Sequence, residues 1–305
     1  MVSFSEQSDG GIQLFNDSLT ITIYPKFGGK IASFRSGDKE WLWQNQQLPE
    51  IPVVTAGAAY DDLFYGGIDE LFPNDYPTLI NGVALPDHGE LWSREWEYSM
   101  EKGVHGWSIR MKLGLRAYPC EFEKHIYLEE NRMTIESKLT NRSEEDFPFL
   151  WVLHPAFRIS PAHKLHFPAG RVIVENEIKG RVAKGTPLFI WPGRDIGLDL
   201  SQVPEANGGL ESYYITDLPE GRFILEDTNA GESLQVDFPL DVFPHMWLFM
   251  PLGGWKAHYV AVIEPSSGYP TDLADAVKAG THSVLKKKSC ISATVTYSVR
   301  PSQPL

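Results

Sequence analysis

Cysteine is nearly absent from this sequence. Cys120 and Cys290 are the only two, too few for a disulfide framework and too far apart for a CxxC metal site. No stretch approaches the roughly 20 apolar residues needed to cross a bilayer. The N-terminus, Met-Val-Ser-Phe-Ser-Glu-Gln-Ser-Asp-Gly, lacks the basic start and apolar centre of a signal peptide. Together these absences lead us to expect a reduced, cytoplasmic setting. Basic residues are in the minority: 27 Lys and Arg stand against 40 Asp and Glu, for a formal charge of −13. Such a surface repels phosphate backbones and anionic lipid, so neither nucleic acid nor membrane is an expected partner. The one basic run, Lys286-Lys287-Lys288, reads as a solvated turn.

Helical signals are also scarce. The best is Thr271–Ala279, with Thr271 as N-cap, Leu273 and Val277 on one side, and Gly280 at the C-terminal stop. Period-two alternation dominates instead. Trp107, Ile109, Met111, Leu113 and Leu115 alternate with polar or small residues, and Phe122, Ile126 and Leu128 repeat the pattern. After Glu129-Glu130-Asn131 it resumes at Met133, Ile135 and Leu139, an antiparallel meander with one wet face. Further strands are expected at 19–24, 31–35, 171–175, 222–227, 233–237 and 291–299. The 26 glycines and 22 prolines scatter as turn markers and do not gather into a linker. The fold class is therefore all-β and largely antiparallel. One domain over residues 1–305 is expected, large enough to need two packed sheets, with loose ends at 1–11 and 301–305.

Three titratable residues stand in unusual frames. His154 closes the run Phe149-Leu150-Trp151-Val152-Leu153 and Glu264 closes Tyr259-Val260-Ala261-Val262-Ile263, each directly before a proline. A proline blocks further pairing, so both strands are expected to stop there and aim the side chain beyond the sheet. His88 lies in Asp87-His88-Gly89, where glycine lets the backbone bend towards a ligand. A histidine that gives a proton and a carboxylate that takes one suffice for general acid–base chemistry. Each also has a plainer reading: His154 as a core histidine holding a carbonyl, Glu264 as half of a salt bridge, His88 as a loop histidine bonded to the backbone. On spacing alone the plainer reading of His88 is favoured. A cupin-type metal site lacks its second histidine, and His163 with His166 reads as surface decoration. Of the nine tryptophans, Trp92, Trp151, Trp247 and Trp255 fall near these segments; most of the nine are expected in the core and one or two lining a pocket, where an aromatic face can stack on a sugar ring.

Laid in order, the segments resemble the aldose 1-epimerase (galactose mutarotase) family. The resemblance rests on Gly28-Gly29-Lys30-Ile31, on Gly66-Gly67-Ile68-Asp69-Glu70-Leu71-Phe72-Pro73-Asn74, on Asp87-His88-Gly89-Glu90-Leu91-Trp92, on His154-Pro155-Ala156-Phe157 and on Val262-Ile263-Glu264-Pro265. It implies a β-supersandwich with an open sugar cleft on one sheet. It also implies Glu264 as base on the anomeric hydroxyl, His154 as acid on the ring oxygen, and His88 as a second histidine stabilising developing charge. No metal or organic cofactor is implied. Asp69, Asn74 and Trp92 are the implied sugar contacts, and the family's substrate-orienting Asp falls at Glu211. The expected partner is a small-molecule sugar, bound by a monomer or homodimer. The chain departs from galactose mutarotases in having no Arg between Gly66 and Asn74. The hexose-6-phosphate epimerase branch is similar in Gly-Gly-Ile and in Arg94-Glu95-Trp96, but this chain has Trp92 where that branch has a phosphate-suited Arg. Rival expectations are the same chemistry on a phosphorylated sugar, with Arg94 or Arg158 reaching the phosphate, and a sugar-binding protein that has lost turnover.

Overall fold

The computed structural model describes residues 1–55 and 57–302. Two large antiparallel sheets, of 12 and 8 strands, carry nearly all of the regular structure. The expected meander forms the heart of the smaller sheet, with strands Gly106–Gly114, Cys120–Glu129 and Arg132–Asn141. Its alternation survives as burial: every second residue of Cys120–Glu129 is buried and the rest are half-covered. The apolar faces of both sheets meet in one core that holds Ile109, Phe122, Leu139, Trp151, Phe157 and Leu248. Burying these faces supplies the main driving force for stacking the sheets.

Seven strands of the larger sheet position the cleft: β1 (Lys30–Ser36), β2 (Gly67–Leu71), β3 (Val152–Phe157), β4 (Arg171–Ile178), β5 (Gly209–Thr216), β6 (His245–Leu252) and β7 (Ala261–Ser266). Their spatial order is β1-β2-β3-β7-β6-β5-β4. The central ones are buried on both faces, as their nearly continuous apolar runs require. One face looks into the main core. The other carries a smaller apolar cluster that includes Tyr60, Phe64, Trp92, Ala156 and Val262.

Three expectations need correction. The strands do not stop at His154 and Glu264; β3 runs through Pro155 to Phe157 and β7 through Pro265 to Ser266. Only the ladder between them is interrupted. Val152 faces Ser266 and Ala156 faces Val262, with His154 and Glu264 at the facing positions between. Each proline lacks an N–H to give there, while β3 keeps its pairing with β2 on its other side. The helix α1 (Leu273–Ala279) is capped by Asp272 and not by Thr271. The Asp272 carboxylate accepts the N–H groups of Ala274 and Asp275 at 2.7 and 3.1 Å. The N-terminal stretch is not loose, since Ser3–Glu6 pairs with Ile12–Phe15. At the other end Pro301 belongs to the last strand, Cys290–Pro301, and residues 303–305 lie outside the described residues.

Candidate active site

One row of cross-strand neighbours runs under the cleft, and four of its members, His154, Glu264, Trp247 and Tyr214, form the floor. Asp69 on β2 faces His154 on β3, Glu264 on β7 faces Trp247 on β6, and Trp247 faces Tyr214 on β5. His154 and Glu264 join the two halves of the row across the interrupted ladder, with Nε2 and Oε2 4.0 Å apart. Because strand side chains alternate, the whole row points to the same face of the sheet, with Trp247 and Tyr214 also packed into the edge of the main core. The cleft above it has a volume of about 180 Å³. That suits a monosaccharide-sized ligand and lies below the roughly 300 Å³ at which drug-sized pockets begin. Its walls hold Tyr60, His88, Asp75, Glu175, Ser212 and Trp255, besides His154, Glu264, Trp247 and Tyr214.

The loop carrying His88 reaches the cleft because of its backbone. His88 takes φ of 55° and Gly89 φ of 70°. A Cβ at Gly89 would collide with the Phe72 carbonyl, so glycine is needed for this approach. His88 stacks on Tyr60 with ring centroids 4.1 Å apart. Its Nδ1 bonds Asp87 Oδ1 at 2.8 Å, and its Nε2 lies 2.9 Å from Asp75 Oδ1 in an ion pair without a straight hydrogen bond. Burial pulls the imidazole pKa down, but the two carboxylates outweigh it and raise it to about 10, so His88 is an imidazolium at neutral pH. Asp87 is held in place in turn, accepting the backbone N–H of Tyr60 at 2.7 Å.

His154 and Glu264 shift in opposite directions. Burial and the charge on His88 lower His154 to about 4, against the pull of Asp69 and Asp75. Burial and the nearby carboxylates of Asp75 and Glu175 raise Glu264 well above the usual carboxylate range, with His88 opposing. A carboxyl raised towards neutrality beside an imidazole held neutral is a pair that can hold one proton between them. Among the described residues, Glu264 forms no salt bridge with a lysine or arginine.

The other sequence candidates sit elsewhere. Asp69 lies behind the cleft wall, bonded to Lys30 and to the Tyr60 hydroxyl. Asn74 is wholly buried and donates to the carbonyls of Tyr76 and Pro86, both at 2.7 Å, closing the His88 loop. Trp92 donates to the Asp87 carbonyl and meets Tyr60 edge-on. Glu211 turns away from the cleft and is not among its lining residues: the Arg181 guanidinium grips it at 2.8 and 2.7 Å, and the Arg181 backbone N–H adds a third hydrogen bond at 2.9 Å. Trp247 and Trp255 line the cleft, whereas Trp151 is in the main core.

Sequence reasoning missed Tyr60, Asp75 and Glu175. Tyr60 belongs to a short 3₁₀ turn, Tyr60–Asp62, with no periodic signal. Glu175 is the extra residue of a β-bulge between Val174 and Asn176, which aims it into the cleft and onto the Ser212 hydroxyl. Nothing in the alternation of Val172 and Val174 foretells that bulge.

The sequence matches the model of the aldose 1-epimerase family over residues 12–298. Among solved structures the fold is similar to the Slr1438 protein from Synechocystis sp., 19% identical with a TM-score of 0.75 over 99% of both chains. It is also similar to a galactose mutarotase-like protein from Clostridium acetobutylicum, 11% identical with a TM-score of 0.75 over 99% of this chain and 98% of that one. A third, a galactose mutarotase-like protein from Lactobacillus casei, is 16% identical with a TM-score of 0.66 over 95% of this chain and 100% of that one. At such identities the likeness is one of fold. No curated protein matches the sequence.

Proposed function

The chain belongs to the aldose 1-epimerase family, and from that premise we propose that its cleft interconverts the α and β anomers of a hexose bearing no anionic group. The observation that carries this reading is the buried His154–Glu264 pair, 4.0 Å apart on the cleft floor. Ring opening needs a proton taken from the anomeric hydroxyl and one given to the ring oxygen. Glu264 as carboxylate does the first and His154 as imidazolium the second. The C1–O5 bond breaks, the aldehyde rotates about C1–C2, and the reverse transfers close the ring on either face.

The pair therefore carries one proton throughout. Before opening it sits on His154, and after opening on Glu264. Raised Glu264 and lowered His154 favour the second arrangement, the one that closes rings. A cyclic sugar calls for the first, so the proton must return to His154 as the ring seats between them. Activity should then fall on the acid side near pH 4, where His154 and Glu264 are both protonated. His88 has both nitrogens engaged by carboxylates, so in this reading its charge and not a hydrogen bond serves the reaction.

The walls argue for an uncharged sugar. Asp61, Asp75 and Glu175 line the cleft, and no lysine or arginine does among the described residues. Arg94 is spent on Glu90 and the Gly114 carbonyl, and Arg158 on the Leu42 carbonyl. A dianionic phosphate has no bidentate partner here. Glu175 with Ser212 is the reading's hydroxyl-orienting pair, in place of Glu211. Proton NMR of freshly dissolved α-glucose, α-galactose and their 6-phosphates tests the proposal. Faster exchange of the anomeric signals is expected for a neutral sugar. No acceleration with any of them would sink the assignment.

A further inference from the structure

Behind His154 runs a buried chain of polar contacts that the acid–base scheme does not use. Lys30, only 6% exposed, is bonded to Asp69 Oδ2 and to the Gly66 carbonyl, the latter at 2.9 Å. The same Asp69 oxygen accepts the Tyr60 hydroxyl at 2.8 Å. Tyr60 Oη lies 3.2 Å from His154 Nδ1. All four residues are buried.

Donors and acceptors in this chain allow one assignment. A carboxylate paired with lysine can only accept, so the single Tyr60 proton points at Asp69. Burial and the Asp69 charge hold that hydroxyl protonated. Its oxygen then has only a lone pair to offer His154, and Nδ1 must supply the hydrogen. In a neutral imidazole the other nitrogen, Nε2, is left bare, and Nε2 is the atom that faces Glu264.

We propose that Tyr60, anchored by Asp69 and Lys30, is a positioning residue that fixes His154 as the Nδ1–H tautomer and keeps Nε2 as its only working nitrogen. With Nδ1–H held on Tyr60 in both charge states, Nε2 alone gains and loses the proton exchanged with the sugar. The titratable groups around His154 are His88, Asp75 and Glu264 on the cleft side and Asp69 with Lys30 behind. Only the rear pair reaches it through a hydrogen-bonded hydroxyl. The catalytic consequence rests on the proposed roles of His154 and Glu264; the tautomer does not.

The test is nitrogen-15 NMR of the imidazoles in the free wild-type protein near pH 7, with His154→Asn used to assign the signal. The expected result is a His154 resonance pair of the Nδ1–H form, the less common tautomer of free histidine. Tyr60→Phe keeps the ring packed on His88 and removes only the hydroxyl. It should shift the tautomer population towards Nε2–H and lower kcat by about 10- to 100-fold, by analogy with the loss of an outer hydrogen-bond partner of a metal-bound histidine. A wild-type signal of the Nε2–H form overturns the proposal, whether or not Tyr60→Phe folds. A Tyr60→Phe spectrum unchanged from wild type overturns it too. If the wild type shows the Nδ1–H form and no sugar is turned over, the relay stands and the epimerase reading fails instead.

Discussion

Asp69 and Glu70 are neighbours on β2, yet they serve opposite faces of one sheet. Asp69 points towards the cleft, pairs with the buried Lys30 and holds the tyrosine beside His154. Glu70 points between the sheets and meets the buried Lys124 at 3.5 Å, with the Ser137 hydroxyl at 3.4 Å. Both are nearly inaccessible, and each has a lysine partner. They differ in what lies one bond further out. Beyond Asp69 stands a hydroxyl and an imidazole that can move a proton. Beyond Glu70 stand Trp151 and Tyr297 of the core, with no imidazole to pass a proton to. A buried ion pair alone is thus no mark of a site, and strand alternation is enough to send two adjacent carboxylates to different tasks.

Four measurements test the difference between the two faces. The largest expected effect is on the cleft side. Glu264→Gln should lower kcat for anomer exchange by about 10²–10⁴-fold, the usual worth of a positioned base, with the folded spectrum retained. Wild-type rates in that variant would remove the mechanism. Next comes the contrast itself. Asp69→Asn should lower kcat by about 10–100-fold with KM nearly constant, because the residue stands behind His154 and outside the cleft wall. Glu70→Gln should leave kcat alone and lower unfolding stability by about 3–5 kcal/mol, since it strands the Lys124 charge. Adding Lys124→Met to Glu70→Gln should restore most of that loss in a denaturant titration. Equal kcat losses in the two single variants would erase the distinction between the faces.

A smaller effect is expected from pH. His88 is raised from about 6.5 to about 10 by its carboxylates. A group bound more tightly to its proton in the folded state adds stability that is complete below the unfolded pKa. That contribution should fade as pH rises from about 6.5 through 10, seen as a falling Tm, and His88→Gln should flatten the slope. A Tm that rises over this range would contradict the clamp. The smallest effect is ligand protection. Neutral hexose should raise Tm in proportion to the logarithm of its concentration over Kd, and hexose 6-phosphate should do so less. Stronger protection by the phosphate would reverse the reading of the acidic wall.

How far the sequence could be read follows from how local each signal is. Alternation in residues 107–139 foretold the meander nearly to its ends, because one face of that sheet is wet and period two is a local property. His88, His154 and Glu264 were legible as residues in odd frames, and all three line the cleft. The frame itself was misjudged: the proline after each expected strand end interrupted one ladder and not the strand, since β2 and β6 supplied pairing from the other sides. Glu211 was chosen for its charge and place in the chain, and Arg181, 30 residues away, claimed it.

An all-β chain with an acidic surface, one amphipathic meander and three titratable residues set beside Pro or Gly are already written in the residues. These follow from side-chain chemistry within a few residues. Only the tertiary structure decided which carboxylate faces which histidine, because register across β2, β3 and β7 aligns residues far apart in the chain. It also decided the protonation of the cleft. Burial and neighbouring charge set His88 and His154 on opposite sides of neutrality, and neither is written in the residues that flank them.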